Sequence, residues 1–456
     1  MAQVGRHGLL VAVSTVALAA SLAMGGLLAV GPSPVEAQQA TQAATSKDPG
    51  SITFTVRAPG NLKSAKLDYF VRSPNRDNAD NFVGGTGDGT VAGADASYVL
   101  QANTAQRYIP VGSQFRFHWV LTTDSGSTTT VDSDYLFLDG RYEWKSQSDG
   151  QVTVYWYGNN DAAAATALQS SKSSLDDNNK LLEVQVKYPI RLIVYRSEDE
   201  GRAAKQPRSS AFDAQVQTGG QRVGPDLILV FANNRDVVRH ETAHIVTHVA
   251  GDGPFVGVPS WLDEGTAVYA QLDPGPEYRS GLQLGIAADQ TLPLTSINSP
   301  TSQPSLVNLF YGQSWSVVKF MVDTYGQPKF ADLYRTIYAG ARIDDALLKV
   351  YNLDQDGLYN AWRAKNGLKP VAASPRATAA AAAAVTGTVA PLGVPSGGGV
   401  VTGATAVSGD AGGTSSDSGN TASAGPSSGV AIAVLGATVV VALALGGGAF
   451  MMMRRK

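Results

Sequence analysis

The chain reads His240-Glu241-Thr242-Ala243-His244 and then Trp261-Leu262-Asp263-Glu264-Gly265, with Glu264 twenty residues after the second histidine. Side chains at i and i+4 of a helix stand one above the other on the same face, so His240 and His244 can grip one metal ion together. Glu241 projects into the same space, where a carboxylate can take a proton from water. Glu264 is placed in sequence to be a third ligand. Three protein ligands leave a fourth position open, which is the pattern of a catalytic rather than a structural zinc site. The chain has five histidines, and three of them fall between positions 240 and 248. A histidine-bearing amphipathic helix without metal would leave the separate arrival of Glu264 unexplained.

The flanking sequence supports a helix at the motif. Residues 226–231, Asp-Leu-Ile-Leu-Val-Phe, form a short apolar run that reads as a buried or edge strand. Asn233 and Asn234 are both candidate caps, since their side-chain oxygens can accept from the free N–H groups of a helix start. Val237, Val238, Ile245 and Val249 carry the helix to a stop at Gly251. Pro254 and Pro259 break the chain, and Pro259 suits the first turn of a second helix, with Glu264 about one turn inside it. His248 lies one turn beyond His244, but the helical drift of about 40° per four residues carries it off the metal axis. It reads as a supporting polar residue.

His240-Glu241-x-x-His244, nineteen intervening residues and Glu264 resemble the gluzincins, the thermolysin-like zinc peptidases. The stretch Pro259-Ser260-Trp261-Leu262-Asp263-Glu264-Gly265-Thr266-Ala267 is similar to the P-x-W-L-N-E-G-x-A segment of the peptidase MA-like domain family, with aspartate in place of asparagine. Tyr311-Gly312-Gln313-Ser314-Trp315, Tyr325-Gly326 and Ala361-Trp362-Arg363 look like further landmarks of that family. The resemblance spans roughly residues 150–368 and is strongest at the metal motif. It implies one zinc ion per chain held by His240, His244 and Glu264, Glu241 as general base, and Tyr311 as the donor to the oxyanion, with Tyr269 as a weaker alternative. It also implies that the strand before the motif helix pairs with an extended substrate. Two departures stand out. Thermolysin-like enzymes place an aspartate four residues after the glutamate ligand to orient the first histidine, and here that position is Val268. His240 must then find a carbonyl, a water or another carboxylate, with Asp263 the candidate. The strand at 226–231 is also not the glycine-rich kind that aminopeptidase relatives use to hold a substrate amine.

Around this unit the chain divides by composition. Arg6 and His7 precede an apolar stretch at 8–31, and Val35-Glu36-Ala37 offers small residues for cleavage, so 1–37 reads as a signal peptide, with an uncleaved signal anchor as the alternative. Residues 48–148 show short alternating runs, Ile52, Phe54 and Val56, then Phe115, Phe117, Trp119 and Leu121, with a turn at Asp124-Ser125-Gly126-Ser127. They predict an all-β immunoglobulin- or fibronectin-like sandwich serving as an accessory domain. Asp77, Asp80 and Asp88 read as a solvated loop rather than a calcium site, and His118 as exposed. Residues 149–368 predict an α+β zincin-type catalytic domain, with strands at 152–157 and 190–195, a helix at 162–182, and a core stripe through Val317, Val318, Phe320, Met321 and Tyr325.

The segment 369–429 is almost entirely Ala, Gly, Ser, Thr, Val and Pro, too poor in large apolar groups to offset the entropy of ordering, and reads as a disordered stalk. Residues 430–453 are uncharged and long enough to span a bilayer as a single C-terminal transmembrane helix, and the basic tip 454–456 places that end in the cytoplasm. The absence of cysteine fits a bacterial cell surface and rules out cysteine ligands. A formal net charge of −3 without basic clusters excludes a nucleic-acid binder. Together these features predict a membrane-anchored, extracellular zinc metalloendopeptidase acting on protein or peptide substrates. The alternative is a catalytically inactive or latent zincin serving as an adhesion or wall-binding protein at the surface.

Overall fold

The computed structural model describes residues 39–206, 219–254 and 257–372. The signal segment, most of the stalk, and the 430–453 span lie outside the described residues. No helix among those described is long and apolar enough to cross a membrane.

The chain begins with two antiparallel sheets. One has the order β1 (Thr41–Asp48), β2 (Ser51–Arg57), β6 (Asp95–Gln101), β5 (Thr90–Ala92). The other has the order β4 (Phe82–Asp88), β3 (Ser64–Arg72), β7 (Gln114–Thr123), β8 (Gly126–Thr129), with β9 (Ser133–Leu136) also pairing β7. The alternating residues face each other as anticipated: Ile52, Phe54 and Val56 pack against Phe115, Phe117, Trp119 and Leu121, all essentially inaccessible. His118 is half-buried rather than exposed, with ring nitrogens 2.8 Å from Asp132 and 3.6 Å from Asp68.

A third, mixed sheet follows, in the order β10 (Trp144–Asp149), β11 (Val152–Tyr157), β12 (Ile190–Val194), β14 (Leu227–Val230), β13 (Gly220–Gly224). Helix α1 (Asp161–Leu182) makes the crossover that lets β11 and β12 run parallel. β12 and β14 are buried along their whole length, and successive side chains explain why. Val152, Val154, Leu192, Ile228 and Val230 face the helical half of the molecule. Tyr157, Ile193, Tyr195, Leu227, Leu229 and Phe231 belong instead to the same apolar core as the sandwich. The sandwich therefore covers one face of this third sheet and shares an apolar core with it. Buried Asp139 fastens the junction, accepting from Arg141 at 2.6 Å and from the Tyr195 hydroxyl at 3.1 Å. Asp77, from the loop considered for calcium, accepts from the Tyr338 hydroxyl at 2.7 Å, while Arg76 lies 3.9 Å above that ring.

After the short helix α2 (Glu198–Gly201), the motif helix is α3 (Arg235–Gly251) and the second is α4 (Ser260–Tyr269). The remainder is helical: α5 (Pro276–Ala287), α6 (Val307–Tyr325), α7 (Gln327–Tyr338), α8 (Ile343–Tyr351) and α9 (Gln355–Lys365). Of the two cap candidates, Asn234 is the one used, accepting from the N–H groups of Asp236 and Val237. Gly251 does end α3, although by close packing: a Cβ there would collide with Val258 and stand 2.9 Å from Tyr334.

A candidate metal centre

α3 is locked against its neighbours on every side. Small residues on α1 (Ala163, Ala167, Ser171, Ser174) let the two helices approach closely, and Thr242 donates to Val238 O and to Ser171 Oγ. Arg239, beside the first histidine, spreads its guanidinium over Ala270 O at 2.7 Å, Ser173 Oγ at 2.8 Å and Asp177 at 2.7 Å, tying α3 to both α1 and the end of α4. α4 is in turn pressed onto α6 at Gly265, where a Cβ would run into the Ser314 carbonyl. The glycine of the WLDEG segment is thus required by helix contact.

This packing sets His240 Nε2 at 3.3 Å and His244 Nε2 at 3.5 Å from Glu264 Oε2. Among the described residues, His240, His244 and Glu264 are the only group of three or more His, Cys, Asp or Glu side chains placed to share an ion, with ligand atoms within 4.8 Å of one another. Tetrahedral ligands at about 2.0–2.1 Å from zinc stand roughly 3.3–3.4 Å apart, so the two histidine-to-glutamate spacings fit. All three side chains are buried, and His240 Nε2, His244 Nε2, Glu264 Oε2 and Glu241 Oε1 have no hydrogen-bond partner among the described residues. Orphaned buried polar atoms are rare in native folds, and the three grouped on His240, His244 and Glu264 call for a shared occupant. The donor set, two imidazoles and a carboxylate, suits zinc.

The surrounding groups set the protonation of this cluster without metal. Burial pushes Glu241 up to about 8, against the opposing influence of His244 and of the Arg222 N–H, which donates to Glu241 Oε2 at 2.8 Å. Burial lowers His240. Burial would also lower His244, but Asp263 and Glu264 outweigh it and raise that histidine to about 10. Asp263 is held well below the ordinary carboxylate range: burial opposes this, and the neighbouring His244 and His248 overcome it.

The supporting contacts differ from expectation in three respects. The partner of His240 is Gln271, 2.9 Å from Nδ1. An amide oxygen turned toward that nitrogen would accept its proton and free Nε2 for metal. Asp263 serves the second histidine instead: its Oδ1 lies 2.9 Å from His244 Nδ1, at charge-pairing distance though not aligned as a hydrogen bond, and accepts from Thr247 Oγ at 2.5 Å. Finally, β14 is interior, hydrogen-bonded on both sides, so it cannot be the substrate-pairing strand. The sheet edge beside Glu241 is β13, which the sequence reading missed although Gly219-Gly220 and the Gly224-Pro225-Asp226 turn mark a hairpin. A Cβ at Gly220 would stand 2.8 Å from Val237 and 2.9 Å from Glu241, so only glycine lets the edge lie so close to α3.

His248 makes no approach to the ligand atoms. It pairs with Asp252 at 2.5 Å and with Arg222 Nη2 at 2.8 Å, bordering a cavity of about 540 Å³ beyond the end of α3. Tyr311 is buried on α6 with its ring 6.2 Å from that of His240 and stacked on Tyr278 at 5.0 Å. Tyr269 ends α4, within electrostatic reach of Lys319.

Residues 179–366 match the family model of the Peptidase MA superfamily, and this part of the chain is a peptidase MA-like domain. No curated protein matches the chain. Among solved structures, yeast LTA4 hydrolase in complex with bestatin aligns at 12% identity with a TM-score of 0.32, covering 72% of this chain and 65% of that one. Native yeast LTA4 hydrolase aligns at 12% identity and a TM-score of 0.31, covering 74% and 66%. The chain thus spans just under two thirds of the length of these proteins. The third fibronectin III domain of a human protein aligns over 27% of this chain and 99% of its own, at 12% identity and a TM-score of 0.18.

Proposed function

We propose that the chain is a zinc metalloendopeptidase that hydrolyses peptide bonds in protein substrates. The observation that carries this reading is the cluster of three buried ligand atoms without partners among the described residues, from His240, His244 and Glu264, next to a Glu241 carboxylate that accepts from the Arg222 N–H of a sheet-edge strand. A zinc ion held there would supply Lewis-acid polarisation of the scissile carbonyl and acidify water into the neutral range. Glu241 takes the proton from the attacking water as its oxygen bonds to the carbonyl carbon. It then delivers that proton to the amide nitrogen as the C–N bond breaks. The Arg222 N–H fixes the carboxylate in place, leaving Oε1 for the reaction. The edge of β13 can pair with an extended substrate backbone, which confers affinity with little sequence preference. Tyr311 is the candidate donor to the oxyanion.

The same proposal places the catalytic unit outside the cell, exported by residues 1–37 and held by the 430–453 span with Arg454-Arg455-Lys456 inside. An inactive adhesion protein would have no need of Glu241, and all four residues are present. The test is metal content of the purified full chain alongside cleavage of unfolded casein by wild type and Glu241→Gln. About one zinc per chain, with cleavage lost in the variant and zinc retained, is the expected result. A protein without metal after chelator-free purification would overturn the reading. Loss of the domain from intact cells treated with external protease would support the topology, and full protection would refute it.

A further inference from the structure

We infer that the junction between the sandwich and the catalytic sheet holds a second binding site, for a small carboxylate bearing an apolar body. The site is a cavity of about 80 Å³ between β3, the loop from Arg107 to Ser113, and the β13–β14 turn. Arg191, on β12, is part of its wall. This residue is only 3% exposed, donates to Asp226 Oδ2 at 2.6 Å through Nη2, and has no partner for Nε or Nη1 among the described residues. Buried guanidinium N–H groups without acceptors are costly, so they mark a place where an acceptor from outside the chain belongs.

Charge and shape narrow the class of occupant. Arg72 and Arg107 line the same cavity, so three arginines and one carboxylate, that of Asp226, contribute to its wall. Arg72 is partly engaged, with Gln114 Oε1 at 3.3 Å and Ala79 O at 3.1 Å, whereas the Arg107 side chain lies exposed at the mouth. The remaining wall is largely apolar, with Val71, Val83, Ile109, Val223 and Leu227. A mostly apolar concavity with a few convergent charged donors is the usual form of a small-ligand site. Guanidinium groups match a planar carboxylate. The cavity is too large for one water, whose centre needs about 10–15 Å³, and too small for a peptide. Val223 and Gly224 follow Arg222 directly, so the wall of this cavity is the continuation of the strand that touches Glu241.

Calorimetric titration of the full chain with benzoate tests it, with benzyl alcohol and inorganic phosphate as comparison probes. Saturable benzoate binding at about 10 mM or below is expected, with benzyl alcohol at least about tenfold weaker. Arg191→Lys keeps a cation beside Asp226 but removes the spare donors and should weaken benzoate about tenfold or more. Arg107→Gln, on the surface and safe for folding, should weaken it a few-fold. Phosphate binding in place of benzoate would overturn the assignment of an apolar carboxylate. Absence of any saturable binding, or binding unchanged in both variants, would show that the cavity holds only water.

Discussion

Asp263→Asn offers the sharpest test of how the metal centre is built. Asp263 has three close partners, His244 at 2.9 Å, the Thr247 hydroxyl at 2.5 Å and His248 at 3.5 Å, and it is a principal reason that the metal-free His244 is raised to about 10. Asparagine preserves the shape and removes the charge. Supporting partners of histidine ligands are typically worth about 10–100-fold in metal affinity, or roughly 1.4–2.7 kcal/mol. Gln271, the partner of His240, is a neutral amide, so Gln271→Ala should cost about tenfold or less. The pH dependence carries the same information. A histidine with a raised pKa is protonated in the metal-free protein throughout the neutral range, and binding must displace that proton. Zinc affinity should therefore rise with pH, by about tenfold per unit for one displaced proton, until pH passes about 10. In Asp263→Asn the histidine titrates lower and the slope flattens. Competition against a fluorescent chelator between about pH 6 and 8 measures both quantities. Wild-type affinity and slope in the Asp263 variant, or a larger loss in Gln271→Ala, would refute the reasoning.

Four further outcomes follow from the contacts. Tyr311→Phe should lower kcat by about 100-fold with KM little changed, if its hydroxyl donates to the developing oxyanion; steady-state kinetics decide this. Gly220→Ala inserts a Cβ 2.9 Å from Glu241 Cγ and 2.8 Å from Val237, so it should cost about 1–3 kcal/mol in a denaturant melt and reduce peptidase activity more than stability suggests. Arg239→Met removes the bonds to Ala270 O, Ser173 and Asp177 and should destabilise the fold by about 2–4 kcal/mol. Asp177 is exposed, so that arm of the clamp contributes least, and Asp177→Ala alone should barely move the melting temperature.

The features legible in the sequence are those fixed by neighbours along the chain. Helical periodicity puts His240 and His244 on one face, Asn234 caps by reaching three residues forward, and alternation in β2 and β7 sorts Phe54, Phe117 and Trp119 inward. Composition likewise marks the apolar and low-complexity ends. Tertiary structure decided the rest, because each remaining contact joins residues far apart in the chain. Gln271 reaches His240 across thirty-one positions, and Arg191 meets Asp226 across thirty-five. No local pattern distinguishes a glutamine that turns toward a ligand from one that faces water. An apolar strand such as Leu227–Val230 also reads the same whether it lies at an edge or in the interior, since only its neighbours' hydrogen bonds define an edge. Nor does the alternation of β12 say what covers each face. That Leu192 meets helices while Ile193 meets a second domain is settled only when the sandwich folds back onto the sheet.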